Sequence, residues 1–342
     1  MANIRDVARA AGVSIATVSR VFNNLELVNG DTARRVLQAA AACDYWPNEA
    51  AKSLTTNRCN AFGVLLPDLY GEFYSEIIRG IDQRARQARY QILLSSSHAN
   101  NDDVFNAARA MLGRVDGLIL MTPDTVSPDV VARVRKRLPI VLLNPSFAAD
   151  GCGSVAIDNY GGAYAATSHL LQLGHRDIAM IAGPAGNVDA DDRRRGFQTA
   201  LREFGLDPAR AETEVGDFRE AAGHAAGLTI LARRPRPTAV FAANDSMAIG
   251  LLGAAREQGL RIPDDLAVVG FDDITIARYL NPPLTTVTVD IFGLGRKAVA
   301  MMLATVEAAD AHSPDREVLP AVLTVRESCG AKRRVGLTQS PR

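Results

Sequence analysis

The sequence predicts an α/β protein: a small all-α headpiece followed by two lobes, each built on a doubly wound parallel sheet. Three observations predict it. Up to about Trp46 every apolar run has helical spacing. Beyond Asn60, short apolar strands alternate with amphipathic helical stretches, the pattern of buried parallel strands with helical crossovers. At least nine such strands follow, more than one sheet holds comfortably, so two lobes with a cleft between them are expected.

The headpiece helices are read from Ile4, Val7, Ala8 and Ala11, then Ile15, Val18 and Val21, then Ala33, Val36, Leu37 and Ala40. Gly12 supplies the positive φ of the first turn, Ser14 is placed to cap the second helix, and Asn29 the third, which runs to about Cys43. Residues 46–60, WPNEAAKSLTTNRCN, allow a helix of about two turns after Pro47, from Asn48 to Leu54. So short a helix is marginal alone in water and forms when something packs on it. The strands are AFGVLLP, YQILLSSS, DGLILM, LPIVLLN and SVAID, then RDIAMIAG, PTAVFAAND, DLAVVGFDD and TTVTVD; the helices between them include FYSEIIRGIDQRARQA, YGGAYAATSHLLQLG and DSMAIGLLGAAREQG.

Composition narrows the function. With 342 residues, 47% hydrophobic and 22% charged, the chain buries real cores and is not a disordered one. The 38 basic and 38 acidic residues cancel, and residues 1–58, with seven Lys/Arg against five Asp/Glu, carry only a slight basic excess. Charge alone does not identify a nucleic-acid partner. No run of roughly 18 apolar residues exists and MANIRDVARAAGVS is not a secretory leader, so a cytoplasmic protein with no membrane partner is expected. Cys43, Cys59, Cys152 and Cys329 lie far apart, and His98, His169, His175, His224 and His312 form no spaced ligand set, so neither metal nor cofactor is expected. A nucleophile elbow, a P-loop, HExxH and a strand-linked GxGxxG are all missing, which argues against an enzyme.

Chemistry concentrates first at the N-terminus. In a helix-turn-helix unit the exposed start of the second helix enters the major groove. Arg20 suits a guanine edge or a phosphate, Thr17 and Ser19 suit phosphates, and Ile15 and Ala16 offer apolar contact such as a thymine methyl. An ordinary αα-hairpin gives the same spacing.

The order IRDVARAAGVSIATVSRVFN, YWPNEAAKSL, DGLILM, SHLLQLGHRDIAMIAGP, RRRGFQTAL, AVFAANDSMAIGLLGAAREQGLRIPDDLAVVGFDD and LTTVTVD resembles the LacI/GalR family of bacterial transcriptional regulators over residues 3 to about 330. The resemblance implies a homodimeric, allosteric DNA-binding protein, usually a repressor, with a core like that of periplasmic sugar-binding proteins. It implies a headpiece over 1–46, a hinge helix and linker over 47–60, an effector-binding and dimerisation core over 61–330 and a tail over 331–342. Within the core the N-lobe is expected at about 61–158 plus 290–318, and the C-lobe at about 159–289 plus 319–330. The tail, AKRRVGLTQSPR, is too short and polar for an added tetramerisation coiled coil.

By the same resemblance Thr17, Ser19 and Arg20 are headpiece contacts and Ile15 and Ala16 vary with operator sequence. Leu54 is the apolar wedge into a central minor-groove CG step, with Ala51 and Lys52 beside it; such a wedge unstacks a base step and kinks the duplex. The operator is expected to be an imperfect palindrome, bound with steep salt dependence. The small-molecule effector is expected to meet Phe73, Tyr74, Arg193, Phe218, Asn244 and Asp272, with Asp158 and Asn144 as further strand-end candidates. Aromatic faces cover the apolar faces of a sugar ring while Arg, Asn and Asp take hydroxyls, and a purine-sized ring can use the same aromatics. The alternatives are that Phe73 and Phe218 are core and that Asp272 caps the helix after GFDD.

Where many relatives carry Asn-Pro, this chain reads LYGEFYSE, placing Gly71 and Glu72 before the aromatic pair. That carboxylate, with Asp189, Asp191 and Asp192 near Arg193, favours neutral or amino sugars over acidic ligands. A stand-alone sugar-binding protein, and a regulator triggered by a phosphoprotein, are the alternative readings.

Overall fold

The computed structural model describes residues 2–23, 25–46, 58–97, 101–122, 127–147, 149–307 and 315–331. The hinge candidates Ala51, Lys52 and Leu54 lie outside the described residues, as does nearly all of the tail. The chain divides into two units, Met1–Cys59 and Asn60–Arg342.

The first unit holds three helices, α1 (Ile4–Ala11), α2 (Ile15–Asn23) and α3 (Gly30–Ala42). Asn3 starts α1 through a capping box: its side chain accepts from the N–H of Arg5 and Asp6, and the Asp6 carboxylate accepts from the Asn3 N–H. Gly12 ends it with φ 61°, its N–H returning to the carbonyls of Ala8 and Arg9. Asn29 caps α3 by accepting from the Asp31 N–H. Val7, Ala8, Ala11, Val18, Val21, Ala33, Val36 and Ala40 close a small core. So small a core has little stability to spare. Gly12→Ala is therefore expected to cost the headpiece about 1–2 kcal/mol through its left-handed backbone, read as earlier melting of this unit and weaker operator binding at 37 °C than at 15 °C.

The second unit contains two six-stranded sheets. One orders β11-β5-β4-β3-β1-β2, from β1 (Ala61–Leu66), β2 (Gln91–Ser96), β3 (Gly117–Met121), β4 (Ile140–Leu143), β5 (Gly153–Ile157) and β11 (Arg316–Leu319), all parallel. The other orders β12-β10-β9-β8-β6-β7, from β6 (Ile178–Ala182), β7 (Thr213–Val215), β8 (Ala239–Ala242), β9 (Ala267–Asp272), β10 (Thr285–Val289) and β12 (Ala321–Thr324). Only β12 runs antiparallel, against β10. Setting β11 and β12 aside, both sheets repeat one order, 2-1-3-4-5, and each has its switch point beside its first strand.

The central strands β1, β3, β4, β6, β8 and β9 are buried along their whole length, as their unbroken apolar runs require. Helices α4 (Glu72–Gln87), α5 (Asn101–Met111), α6 (Pro128–Arg135) and α11 (Ile291–Glu307) belong with the first sheet. Helices α7 (Asn159–Gln172), α8 (Val188–Glu203), α9 (Glu220–Leu231) and α10 (Asp245–Glu257) belong with the second. The chain passes between lobes three times: between β5 and α7 at Asp158, between β10 and α11 at Asp290, and between β11 and β12 at Pro320. Two of these crossings are tied together, the Asp158 N–H donating to the Leu319 carbonyl at 3.0 Å.

Sequence periodicity identifies nine strands; β7, β11 and β12 are additions. All three are edge strands of three or four residues with mixed exposure, and Pro320 splits REVLPAVLT between two sheets.

Candidate functional site

The headpiece surface is built by α2. Val18 and Val21 turn inward, while Ile15, Ala16 and Arg20 are exposed and Thr17 and Ser19 half-buried. Ser14 starts the helix as the Ser-x-x pattern requires: its hydroxyl accepts from the Thr17 N–H at 3.1 Å and lies 2.9 Å from the Thr17 hydroxyl. The exposed start of α2 therefore presents one cation, two small hydroxyl side chains and an apolar pair, and Ile15 keeps 45% of its surface open to solvent.

The second site lies at the carboxyl ends of the strands, between the lobes, and encloses about 760 Å³ counting its open mouth. Phe73, Tyr74, Arg193, Phe218, Asn244 and Asp272 all line it. Phe73 and Tyr74 open α4 and pack edge to face, centroids 5.4 Å apart. Phe218, at φ 68°, follows β7. Its ring occupies the space above Gly183, where a Cβ would come within 2.3 Å of it, so a glycine at the end of β6 makes room for this wall of the cleft.

Arg193, on α8, is 3% exposed and lies with its guanidinium 3.8 Å from the Phe271 ring centroid. It donates to the Asn159 side-chain oxygen (2.8 Å) and the Ala243 carbonyl (2.5 Å). Its Nη2 also lies 3.2 Å from Asp272 Oδ1, an ion pair without hydrogen-bond geometry. Burial drives the Asp272 carboxyl up to about 6; Arg193 opposes the rise and the nearby Asp189 adds to it. Asp245 behind it is fully buried, and burial followed by repulsion from Asp272 holds its carboxyl well above the usual range. Asp245 braces the floor by accepting from the Thr286 hydroxyl (2.6 Å) and the Ile274 N–H (3.0 Å).

Asn244 caps α10, accepting from the Met247 N–H, and donates to the Phe218 carbonyl at 2.9 Å. It thus holds the aromatic loop in place as well as lining the cleft.

Two strand-end candidates lie apart from this lining. Asp158 is absent from the cleft lining: its exposed carboxylate turns back to cap α7, accepting from the Gly161 N–H. Asn144 is buried beneath the cleft, where its Oδ1 accepts from the Ile157 N–H and its Nδ2 donates to Asp189 at 3.0 Å. Because Asn144 follows β4 and Asp189 sits on α8, that bond joins the two lobes. Asp189 also accepts from the Asn159 amide, which completes a buried chain from Asn144 to Arg193 and Asp272. Asp191 and Asp192 do not line the cleft; they pair with Arg194 and Arg195 on α8. Asp272 is no helix cap, since the short helix after it has no side-chain cap. Phe73 and Phe218 are half-buried at the wall.

Three further contacts span the lobes at the mouth. Glu72 accepts from the Thr275 N–H at 2.6 Å, Arg219 pairs with Asp68 at 2.5 Å, and the Tyr70 hydroxyl lies 3.5 Å from Glu220. Slight burial pushes the Asp68 carboxyl up, but hydrogen bonds from Arg219, Leu69 and Tyr70 leave it below its ordinary value. No group of three or more potential metal ligands occurs among the described residues, and none of their helices is long and apolar enough to cross a membrane.

The chain matches the models of the bacterial regulatory proteins, lacI family, over residues 3–48 and of a periplasmic binding protein-like domain over 167–329. It is 38% identical over 310 residues to the HTH-type transcriptional repressor PurR of Photorhabdus laumondii subsp. laumondii, covering 89% of this chain and 90% of that one. Among solved structures, the Lac repressor dimer bound to operator and the anti-inducer ONPF superposes with a TM-score of 0.85 at 31% identity, covering 96% of this chain and 99% of that one. The complex of the transcriptional regulator CelR with cellobiose superposes at 0.72, also at 31% identity, covering 96% and 100%. By sequence and by fold this chain belongs to the LacI/GalR family of bacterial transcriptional regulators, and it is not an enzyme.

Proposed function

We propose that the protein is a cytoplasmic, homodimeric repressor whose affinity for a palindromic operator is set by a sugar-like effector in the interlobe cleft. The observation that carries the effector reading is the floor of that cleft. The buried pair Arg193 and Asp272, with Arg193 steadied from behind by Asn159, offers a fixed donor and acceptor to hydroxyl groups, while Phe73 and Phe218 offer flat apolar faces. The cellobiose complex of one relative is in keeping with it.

The coupling follows from where the polar chain runs. Arg193 and Asp272 meet the ligand, and through Asn159 and Asp189 they connect to Asn144 on the other lobe. A ligand that rearranges the first pair alters the bond that fixes the lobes to each other. Only a ligand binding the two lobe arrangements differently shifts their balance, and its effect on operator affinity equals the operator's effect on its own. In this reading effector binding turns the N-lobes, separates the hinge segments around Leu54 and releases the operator.

A thermal-shift screen of the purified chain against mono- and disaccharides, amino sugars, sugar phosphates and purines tests the reading, with each hit retested for operator release. A ligand at ~100 times its Kd stabilises by about 2.7 kcal/mol. Stabilisation without any change in operator affinity counts against the coupling. Leu54→Ala is expected to weaken operator binding by roughly ten- to a hundredfold, the wedge being worth a few kcal/mol, while effector binding persists. Unchanged operator affinity in a gel-shift titration removes Leu54 from the interface.

A further inference from the structure

A second concave surface lies on the N-lobe, between α5 and α6, and encloses about 850 Å³ counting its open mouth. None of the residues lining it lines the interlobe cleft. One face of α5, continued by Leu112, forms its floor, with Phe105, Ala108 and Leu112 at the i, i+3 and i+7 spacing of a helical stripe; Val134 of α6 closes the other side. Leu112 keeps 41% of its surface open to solvent. Over this apolar floor stand four cations, Arg109 of α5 and Arg133, Lys136 and Arg137 at and just past the end of α6. Among the described residues no carboxylate lines the groove.

The opening belongs to this lobe and not to its repeat. Helices α9 and α10 hold the equivalent places in the second sheet, joining β7, β8 and β9 as α5 and α6 join β2, β3 and β4. There two glycines bring the backbones together: a Cβ on Gly250 would come within 2.0 Å of the Glu220 carbonyl oxygen, and one on Gly223 within 2.3 Å of that of Met247. Neither α5 nor α6 carries a glycine, so side chains hold them apart. The cations also exceed what two helix ends call for, since each carboxyl terminus carries about half a negative charge, about one for the pair, against four cations. Arginines elsewhere on the surface take a carboxylate one turn away, as Arg79 takes Glu76 and Arg194 takes Asp191. In the groove Arg133 instead lies over the Phe105 ring, its guanidinium 4.2 Å from the centroid. Stacked by its face, it keeps its N–H edge for an anion.

We propose that this groove is a second ligand site, and that it takes a small amphipathic anion: a carboxylate or phosphate carried on an aromatic or short alkyl body. The body lies along Phe105 and Leu112, where water leaves both apolar surfaces, and the anionic group takes the free edges of Arg109 and Arg133. A cation is repelled there, and a neutral molecule of the same shape gains the floor alone. Size argues against a protein partner, because the stripe from Phe105 to Leu112 runs only about 10 Å while a stable protein interface takes roughly 800 Å² from each side. The site is a separate input to the N-lobe and stands whether or not the cleft holds a sugar.

Isothermal titration of the full chain tests this with naphthoate, naphthyl phosphate and octanoate, beside naphthalenemethanol and naphthalenemethylamine as neutral and cationic forms of the same body. At least one anion is expected to bind about tenfold or more tightly than the alcohol, the scale of one charge-assisted hydrogen bond, and the amine not measurably. Arg109→Glu combined with Arg133→Glu should lower that affinity by about tenfold or more, and Leu112→Asp should lower it several-fold. All three positions are exposed, so the fold tolerates these changes. Arg256→Glu, the same reversal on an exposed residue of α10, should leave the affinity unchanged. An alcohol or amine that binds as tightly as the anions, or an equal loss in Arg256→Glu, overturns the proposal. Hexaglutamate binding as tightly as the best anion makes the four cations an open electrostatic surface with no use for the floor, and overturns it too. Binding that the groove variants leave unmoved, or failure of all three anions to bind, does the same.

Discussion

Arg193→Ala is expected to abolish the effector's influence on operator affinity and to lower the melting temperature of the core by several degrees. The guanidinium holds four partners at once: the Asn159 oxygen, the Ala243 carbonyl, the Asp272 carboxylate and the Phe271 ring face. Truncation leaves the first two without their donor and the carboxylate without its counter-charge, and opens a void against the ring. Breaking one side of a buried ion pair costs roughly 3–5 kcal/mol, largely because the other charge stays buried alone. The true cost should sit at the low end, because Asp272, already at about 6 with Arg193 beside it, would rise further and take up a proton near neutral pH. Its negative charge would then cease to be buried at all. Arg193→Lys restores charge but not the planar fork that reaches two acceptors while lying on Phe271, so it should recover part of the stability and little of the response. Thermal unfolding and operator titrations with and without effector check both parts. An Arg193→Ala protein that still releases operator on effector addition would place the effector elsewhere.

The convergence behind that expectation was legible only in part. Phe73, Arg193, Phe218, Asn244 and Asp272 are spread over some two hundred residues, and what gathers them is topology: each lies at or after a parallel strand's carboxyl end. The resemblance that named these residues also offered Asp158 and Asn144 as strand-end candidates. Whether a strand-end side chain faces the cleft depends on what lies next to it. At Asp158 the next helix offers a free N–H at Gly161 and claims the carboxylate. At Asn144 the partner is Asp189, forty-five residues away on the other lobe. Glu72 stood out as an unusual carboxylate, but nothing near it signals that it reaches the backbone of Thr275, and Asp68 gave no sign of Arg219. Such long-range pairs appear only once two lobes are set face to face. The headpiece was more transparent because its determinants are local: Asn3, Gly12, Ser14 and Asn29 each act within four residues of themselves.

Asp272→Asn is expected to separate stability from function in the opposite direction. The Asp272 carboxyl is raised from 3.8 to about 6, so the folded protein holds this proton more tightly than the unfolded chain does. A carboxyl shifted upward gives a folded state that is relatively more stable below the unfolded value. That advantage is lost as pH rises through the folded one. Between about pH 4 and pH 6 the wild-type core should therefore lose stability at this position, by about 3 kcal/mol for a shift of this size. Asparagine keeps the shape and carries no charge, so it escapes that loss. It also lifts the repulsion that helps hold Asp245 high. Arg193 keeps the Asn159 and Ala243 acceptors in the variant. The difference in melting temperature between variant and wild type should thus move in the variant's favour from pH 4.5 to pH 7.5, while effector binding at pH 7.5 falls by tenfold or more as the charged acceptor disappears. Differential scanning calorimetry across that range, paired with titration at its upper end, reads both. A difference that stays flat from pH 4.5 to 7.5 would mean that Asp272 is ionised throughout, fully compensated by Arg193. Growth of the difference without loss of binding would mean that the carboxylate is a cost borne for something other than the ligand. The expected pairing of the two makes the strained carboxylate the place where ligand-free stability is given up so that an effector can restore it.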